Sequence, residues 1–265
     1  MQENRLNDWF GRNAGRHFVS LSCVQHPPGE SESILVFSGF IAEIEDVWLY
    51  ITAGHILREL TKAIEGGSKF NVWRLGDETA KGKFAGTAIP YEFDLAKWLI
   101  IEDDDLGLDY AAVVLDSLYC RALEAGGAVP IPKEAWGSHL IEHDYWALIG
   151  IPAETVTYDN ETIISAKAVT LVMEPTNAPL EPSEKDQNRF YAQLMDDSAD
   201  AVESLVGMSG GPIFALRAID DIWHYSVIGV QSGWYSSDKV VIACPFVSFA
   251  AALANEIRAE KLVTI

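Results

Sequence analysis

The sequence predicts an all-β protein, a sandwich or a set of barrels, closed at its C-terminal end by one helix. Three observations carry that prediction. Short apolar runs with period-two alternation recur along most of the chain. Turn-forming residues separate them roughly every 8–15 residues. Only one segment has sustained helical spacing: Phe249, Leu253 and Ile257 follow one another by four, behind a serine suited to cap them, Ser248. At 265 residues and 49% apolar composition, the chain can bury one large β unit or two small barrels. No short repeat of fixed period divides it.

Residues 1–15 are polar, with a short helix expected around Leu6, Trp9 and Phe10. Phe18 to Val24 alternates as a strand and stops at Pro27-Pro28-Gly29. Ser33 to Phe40 reads as a second strand. Ile41–Ile44 and Val47–Thr52 flank an acidic turn and form a hairpin, followed by Ala53-Gly54-His55 and one helical turn within His55–Ile64. Phe70–Leu75 and Lys83–Ile89 are further strands, then Ala96–Ile101, an acidic turn at Glu102–Asp105, and a strand behind Asp109. Arg121 to Trp136, with Gly126, Gly127, Pro130 and Pro132, is expected to link two halves, residues 1–120 and 121–265. Strands restart at Tyr145–Ile151, Thr162–Met173 and Phe190–Leu194, the last two separated by a polar loop with Pro175, Pro179 and Pro182. Ile213–Leu216, Trp223–Val230 and Lys239–Ala243 complete the set before the terminal helix.

The formal charge of −20, from 19 basic and 39 acidic residues, argues against nucleic acid or an anionic membrane as partner, since both demand a basic face. An acidic body attracts cationic peptides or proteins, or only keeps the chain soluble. The N-terminus has no apolar core segment of a secretory signal. The most apolar window, Val240 to Ala254, is interrupted by Pro245 and Ser248 and is too short for a membrane span. Cys23, Cys120 and Cys244 are odd in number and far apart, so they are expected as free thiols, and a cytoplasmic location is the default.

Chemistry concentrates at Gly207-Met208-Ser209-Gly210-Gly211-Pro212. Glycines on both sides of a hydroxyl allow a turn tight enough to aim main-chain N–H groups at one point, as acyl transfer at a serine requires. A serine also needs a base, and the base needs a third group to hold its tautomer. Among six histidines, His55 stands out because it follows an apolar strand through small residues. Asp109 opens the run Tyr110–Leu115, where a partly desolvated carboxylate must find a donor. Asp94 is a rival acid, but Lys97 and Glu92 make its surroundings more surface-like.

Together, Thr52-Ala53-Gly54-His55, Asp109-Tyr110-Ala111-Ala112-Val113-Val114 and Gly207–Pro212 resemble the histidine, aspartate and serine motifs of the chymotrypsin/trypsin-like serine peptidases, in that family's order. The Ser38-Gly39-Phe40 hairpin, Leu148–Pro152, Val227–Trp234 and the terminal helix extend the resemblance over most of residues 17–260. It implies two six-stranded antiparallel β-barrels with a C-terminal helix, the site lying in the cleft between them. It further implies His55 as base, Asp109 as its orienter, Ser209 as nucleophile, and the N–H groups of Gly207 and Ser209 as oxyanion hole. No cofactor is implied. Glu203, six before the serine, is expected at the floor of the substrate pocket, where an acid favours a basic side chain; it equally fits the solvated acidic loop that runs from Asp196. Ser232, Gly233 and Trp234 are expected along the pocket wall.

The sequence departs from secreted members at Met208, which stands where they carry an aspartate that pairs with a freshly cut N-terminus. Activation by cleavage is therefore not expected; the enzyme is made active or is gated by an activating or sensor partner. The competing expectation is a catalytically silent peptide-binding protein of the same fold. His139-x-x-Glu142-His143 matches a zinc-peptidase pattern, yet Gly137, Ser138 and the strand at Tyr145 leave little room for the helix that pattern needs, and no metal is expected. Glu102–Asp105 lacks the ligand spacing of a calcium loop.

Overall fold

A computed structural model describes residues 2–77, 79–159, 163–179 and 187–263. The elements in chain order are α1 (Gln2–Asn13), β1 (Ser20–His26), β2 (Ser33–Phe37), β3 (Phe40–Ile44), β4 (Val47–Thr52), α2 (Gly54–Glu65), β5 (Lys69–Gly76), β6 (Ile89–Pro90), β7 (Leu99–Asp103), β8 (Leu108–Val114) and α3 (Ser117–Gly126). They continue as β9 (Tyr145–Gly150), β10 (Thr157–Asp159), β11 (Ile163–Ser165), β12 (Val169–Thr176), β13 (Phe190–Leu194), α4 (Asp196–Ala199), β14 (Pro212–Ile219), β15 (Ile222–Tyr235), β16 (Val240–Pro245) and α5 (Phe246–Val263).

The predicted β class, a barrel and the C-terminal helix are all present. Strands β12-β13-β16-β15-β14-β9 close a six-stranded antiparallel barrel. The earlier strands divide into two four-stranded sheets, β2-β1-β5-β6 and β3-β4-β8-β7, which meet at an antiparallel bridge between Phe18 and Phe40. The β3–β4 hairpin turns through Glu45 and Asp46, both at positive φ (52° and 62°), as a two-residue turn matched to strand twist demands.

Four local expectations need correction. The stretch after His55 is a 12-residue helix, not one turn, because Ile56, Leu57 and Leu60 share one buried face. Residues 83–86 form a turn and only Ile89–Pro90 pair as a strand: the buried Asp77 carboxylate accepts the Gly86 N–H at 2.8 Å and wraps this segment around itself. Arg121–Gly126 belongs to α3, which ends at Gly127 in the left-handed region (φ 93°). The final helix begins at Phe246, so Ser248 lies inside it and its hydroxyl donates back to the Pro245 carbonyl at 3.3 Å. Pro182 and Thr162, named above for a loop and a strand, lie outside the described residues.

Three apolar clusters hold the elements together. One (Ile41, Tyr50, Leu57, Leu75, Val113) fills the N-terminal sheets, and another (Leu148, Leu171, Met208, Ile213, Val241) fills the barrel. The third joins Phe18, Phe40 and Ile51 to Ile149, Phe214 and Phe246. The connection after α3 pairs with both sides, through parallel bridges Ala42–Ile131 and Trp136–Val227. Tyr110 stacks on Phe249 at 4.3 Å, and its hydroxyl donates to the Pro245 carbonyl at 2.8 Å. Among the described residues, no helix is long and apolar enough to cross a membrane.

His17 gives this core a pH dependence. Its ring is fully buried, Nδ1 donates to the Val129 carbonyl at 2.7 Å, and Nε2 accepts from the Tyr225 hydroxyl at 2.8 Å. Burial penalises the charged ring and pushes its pKa down from 6.5 to about 4. Because the unfolded chain binds the proton more readily, stability is full above pH 6.5 and falls as pH drops toward 4. The loss is on the order of 3 kcal/mol. Denaturant titrations from pH 7 to 4 are expected to show this slope in the wild type and a shallower one in His17→Gln.

Candidate active site

Strand β4 ends at Thr52, and Ala53 precedes the first turn of α2, which carries His55. Strand β8 pairs beside β4, Thr52 opposite Ala111, so Asp109 arrives under the start of that helix. Gly54 makes the approach possible: a Cβ there would lie 2.9 Å from the Tyr110 carbonyl oxygen and 3.2 Å from Asp109 Oδ1. The first-turn N–H groups of a helix lack intrahelical acceptors and favour a negative charge. Accordingly Asp109 Oδ1 accepts the His55 backbone N–H at 2.7 Å, and Oδ2 accepts Nδ1–H of the same residue at 2.7 Å.

A third donor completes the carboxylate. The Ser232 hydroxyl on β15 reaches Oδ2 at 2.5 Å. Asp109 is 4% exposed. Burial raises its carboxyl, but the hydrogen bond and charge of His55, together with the Ser232 bond, outweigh that and hold it below the ordinary aspartate value. An ionised carboxylate only accepts, so the His55 proton sits on Nδ1 and the neutral ring offers Nε2 as an acceptor. Among the described residues, Nε2 has no partner. Beside this pair, Arg58 on the same helix forms an ion pair with Glu102, which stands opposite Asp109 in the β7–β8 register.

The glycine-rich loop lies against the same strand end. Gly210 (φ 86°) packs so closely that a Cβ would collide with Thr52 Oγ1 and lie 2.9 Å from the Ala53 nitrogen. Its N–H donates to the Gln231 carbonyl at 2.8 Å, and Gln231 N–H returns to the Gly211 carbonyl at 2.9 Å, tying the loop to the segment that carries Ser232. Met208 N–H closes a turn on Leu205 at 3.0 Å. The Met208 side chain is fully buried against Gly150, where a Cβ would stand 2.9–3.1 Å from it. Among the described residues, the N–H groups of Gly207 and Ser209 and the Ser209 hydroxyl make no hydrogen bond. Gly207 itself adopts φ 90°.

The structure therefore brings His55, Asp109 and Ser232 into direct contact, with the Ser209 loop packed on the strand that leads to His55. Ser232 was expected on the pocket wall; its bond to Asp109 had no signal in the sequence. Glu203 is exposed, and its loop is pinned by Glu154, whose carboxylate accepts Glu203 N–H at 2.7 Å and Ser204 N–H at 3.1 Å. Gly233 faces open space except for Ile242 at 3.5 Å, while Trp234 is half-buried against the barrel cluster. Asp94, the rival acid, caps a short turn through Ala96 N–H at 3.0 Å. Residues 139–143 form no helix: His139 stacks on Phe190, and His143 donates to the Ser138 carbonyl.

No family model and no curated protein sequence matches the chain. Among solved structures it is similar to a thermostable serine protease, AL20, from an extremophilic microorganism, at 16% identity and TM-score 0.48, covering 91% of this chain and 95% of that one. It is also similar to catalytically active tobacco etch virus protease complexed with product, at 11% identity and TM-score 0.46, covering 94% and 80%. A third is the protease Anisep from Arthrobacter nicotinovorans, at 18% identity and TM-score 0.42, covering 87% and 90%.

Proposed function

We propose that this chain is a chymotrypsin-like serine endopeptidase acting through an acyl-enzyme, with Ser209 as nucleophile, His55 as base and Asp109 as the orienter of His55. The observation that carries the proposal is the pair of hydrogen bonds from His55 to Asp109, at 2.7 Å each, which leaves Nε2 without a partner among the described residues, while the serine loop packs on the strand end before His55. Nε2 takes the Ser209 proton as Oγ attacks the substrate carbonyl carbon. The carbonyl oxygen becomes an oxyanion held by Gly207 and Ser209 N–H. The C–N bond then breaks as His55 returns the proton to the amine, and water repeats the sequence to release the acid. Asp109, below the ordinary aspartate value, stays ionised and offsets the imidazolium.

Met208 supports competence without N-terminal cleavage, because its buried side chain anchors the loop by apolar packing where an ion pair would otherwise be needed. Glu203, six residues before the nucleophile, would favour lysine or arginine before the cleaved bond through charge pairing. A fluorophosphonate is expected to label the wild type at Ser209 and to leave Ser209→Ala unlabelled. Peptide-library cleavage is expected to show a basic preference that Glu203→Ala weakens. A wild type that never labels, alone or with candidate activators, would mean a peptide-binding protein in place of an enzyme.

A further inference from the structure

The Ser38 hydroxyl sits between the histidine strand and the serine loop. Ser38 lies in the bend between β2 and β3 and is fully buried. Its Oγ accepts the Ile151 N–H at 2.9 Å and donates to the Gly207 carbonyl at 2.8 Å. The first bond occupies the hydroxyl as an acceptor and so directs its proton at Gly207. Its own carbonyl accepts the Thr52 hydroxyl at 2.8 Å and lies 2.5 Å from where a Gly210 Cβ would stand. Every polar atom with a partner thus faces the loop, the strand end before His55, or the segment beside the loop.

From this geometry we propose that Ser38 is a positioning residue for the oxyanion hole, an inference that rests on the peptidase reading. A peptide plane carries its carbonyl and the next residue's N–H in fixed opposition, so holding the Gly207 carbonyl sets the plane of the 207–208 peptide. With φ at 90°, Gly207 sits in a region where glycine has little steric preference, and its neighbouring peptides can rotate. The Ser38 bond removes that freedom at the carbonyl, and Ala153 N–H removes it one residue earlier by donating to the Val206 carbonyl at 2.8 Å. Gly207 N–H belongs to the 206–207 peptide, opposite the Val206 carbonyl, so it faces away from Ala153, and Ser38 fixes the peptide on the other side of the same glycine, as a preorganised donor requires. Ser38 touches no substrate; it acts through Gly207.

Steady-state kinetics of Ser38→Ala, Ser38→Thr and Ser38→Val, with thermal unfolding of each, test the role. Threonine and valine have nearly equal volume and differ in the hydroxyl, so their comparison stands even where alanine fails to fold. The expected result is a kcat lowered about 10- to 100-fold in alanine and valine, part of the loss from removing a whole oxyanion donor. KM should stay within about two-fold, and threonine should keep most of the activity. Equal losses in threonine and valine, or a kcat within about three-fold of wild type in both alanine and valine, would overturn the proposal while leaving the peptidase reading intact. A wild type with no turnover would remove that reading first, and this one with it.

Discussion

Ser209→Ala and His55→Ala are each expected to lower kcat by about 10⁶, and the double variant by no more than either alone. The non-additivity follows from the geometry. Among the described residues Nε2 of His55 has no partner, and in the proposed mechanism it takes one proton from one hydroxyl. Without that hydroxyl the base has nothing to deprotonate; without the base the hydroxyl remains a weak nucleophile. Residual turnover in all three variants should converge on the contribution of Gly207 and Ser209 N–H and of substrate binding, about 10³–10⁴ over water. Active-site titration of the wild type and long incubations of the variants measure these levels. A single variant that retains kcat within a hundred-fold of wild type would take its residue out of the chemistry.

The parts of this arrangement that were legible in the sequence are those set by local pattern. The β3–β4 hairpin follows from alternation on either side of two residues able to take positive φ, and it delivers His55 at its end. Strand β8 follows from its apolar run, and Asp109 from standing at its mouth. Where a distant contact decides, local pattern failed. The run from Lys83 to Ile89 reads as a strand, but the buried Asp77 carboxylate binds Gly86 N–H and folds residues 83–86 into a turn. The helical face of Ile56, Leu57 and Leu60 was present in the sequence, yet its β-rich surroundings suggested a single turn. Ser38 and Ser232 are the clearest cases. Each is an ordinary polar residue beside a glycine, and each gains its role from a partner 169 and 123 positions away.

Asp109→Asn is expected to lower kcat by about 10⁴ with KM little changed. An asparagine has the shape of the aspartate but one acceptor and one donor where the carboxylate has two acceptors. Three groups now donate to Asp109: His55 N–H, His55 Nδ1–H and the Ser232 hydroxyl. The backbone N–H cannot reverse its role, so the carboxamide oxygen must stay on it and the amide nitrogen must face Nδ1 and Ser232. Two donors cannot face each other, so the imidazole proton moves from Nδ1 to Nε2, which then has no lone pair for the Ser209 proton. Binding of substrate involves neither atom, hence the separation of kcat from KM. The substitution also carries a stability signature. A carboxyl held below its ordinary value contributes stability above that value and loses it as pH falls through the folded one. Wild type is therefore expected to lose stability on the acid side more steeply than Asp109→Asn. A nitrogen-15 spectrum of the variant showing the ring proton still on Nδ1, or a kcat within ten-fold of wild type, would contradict the assignment of Asp109 as the group that holds the tautomer.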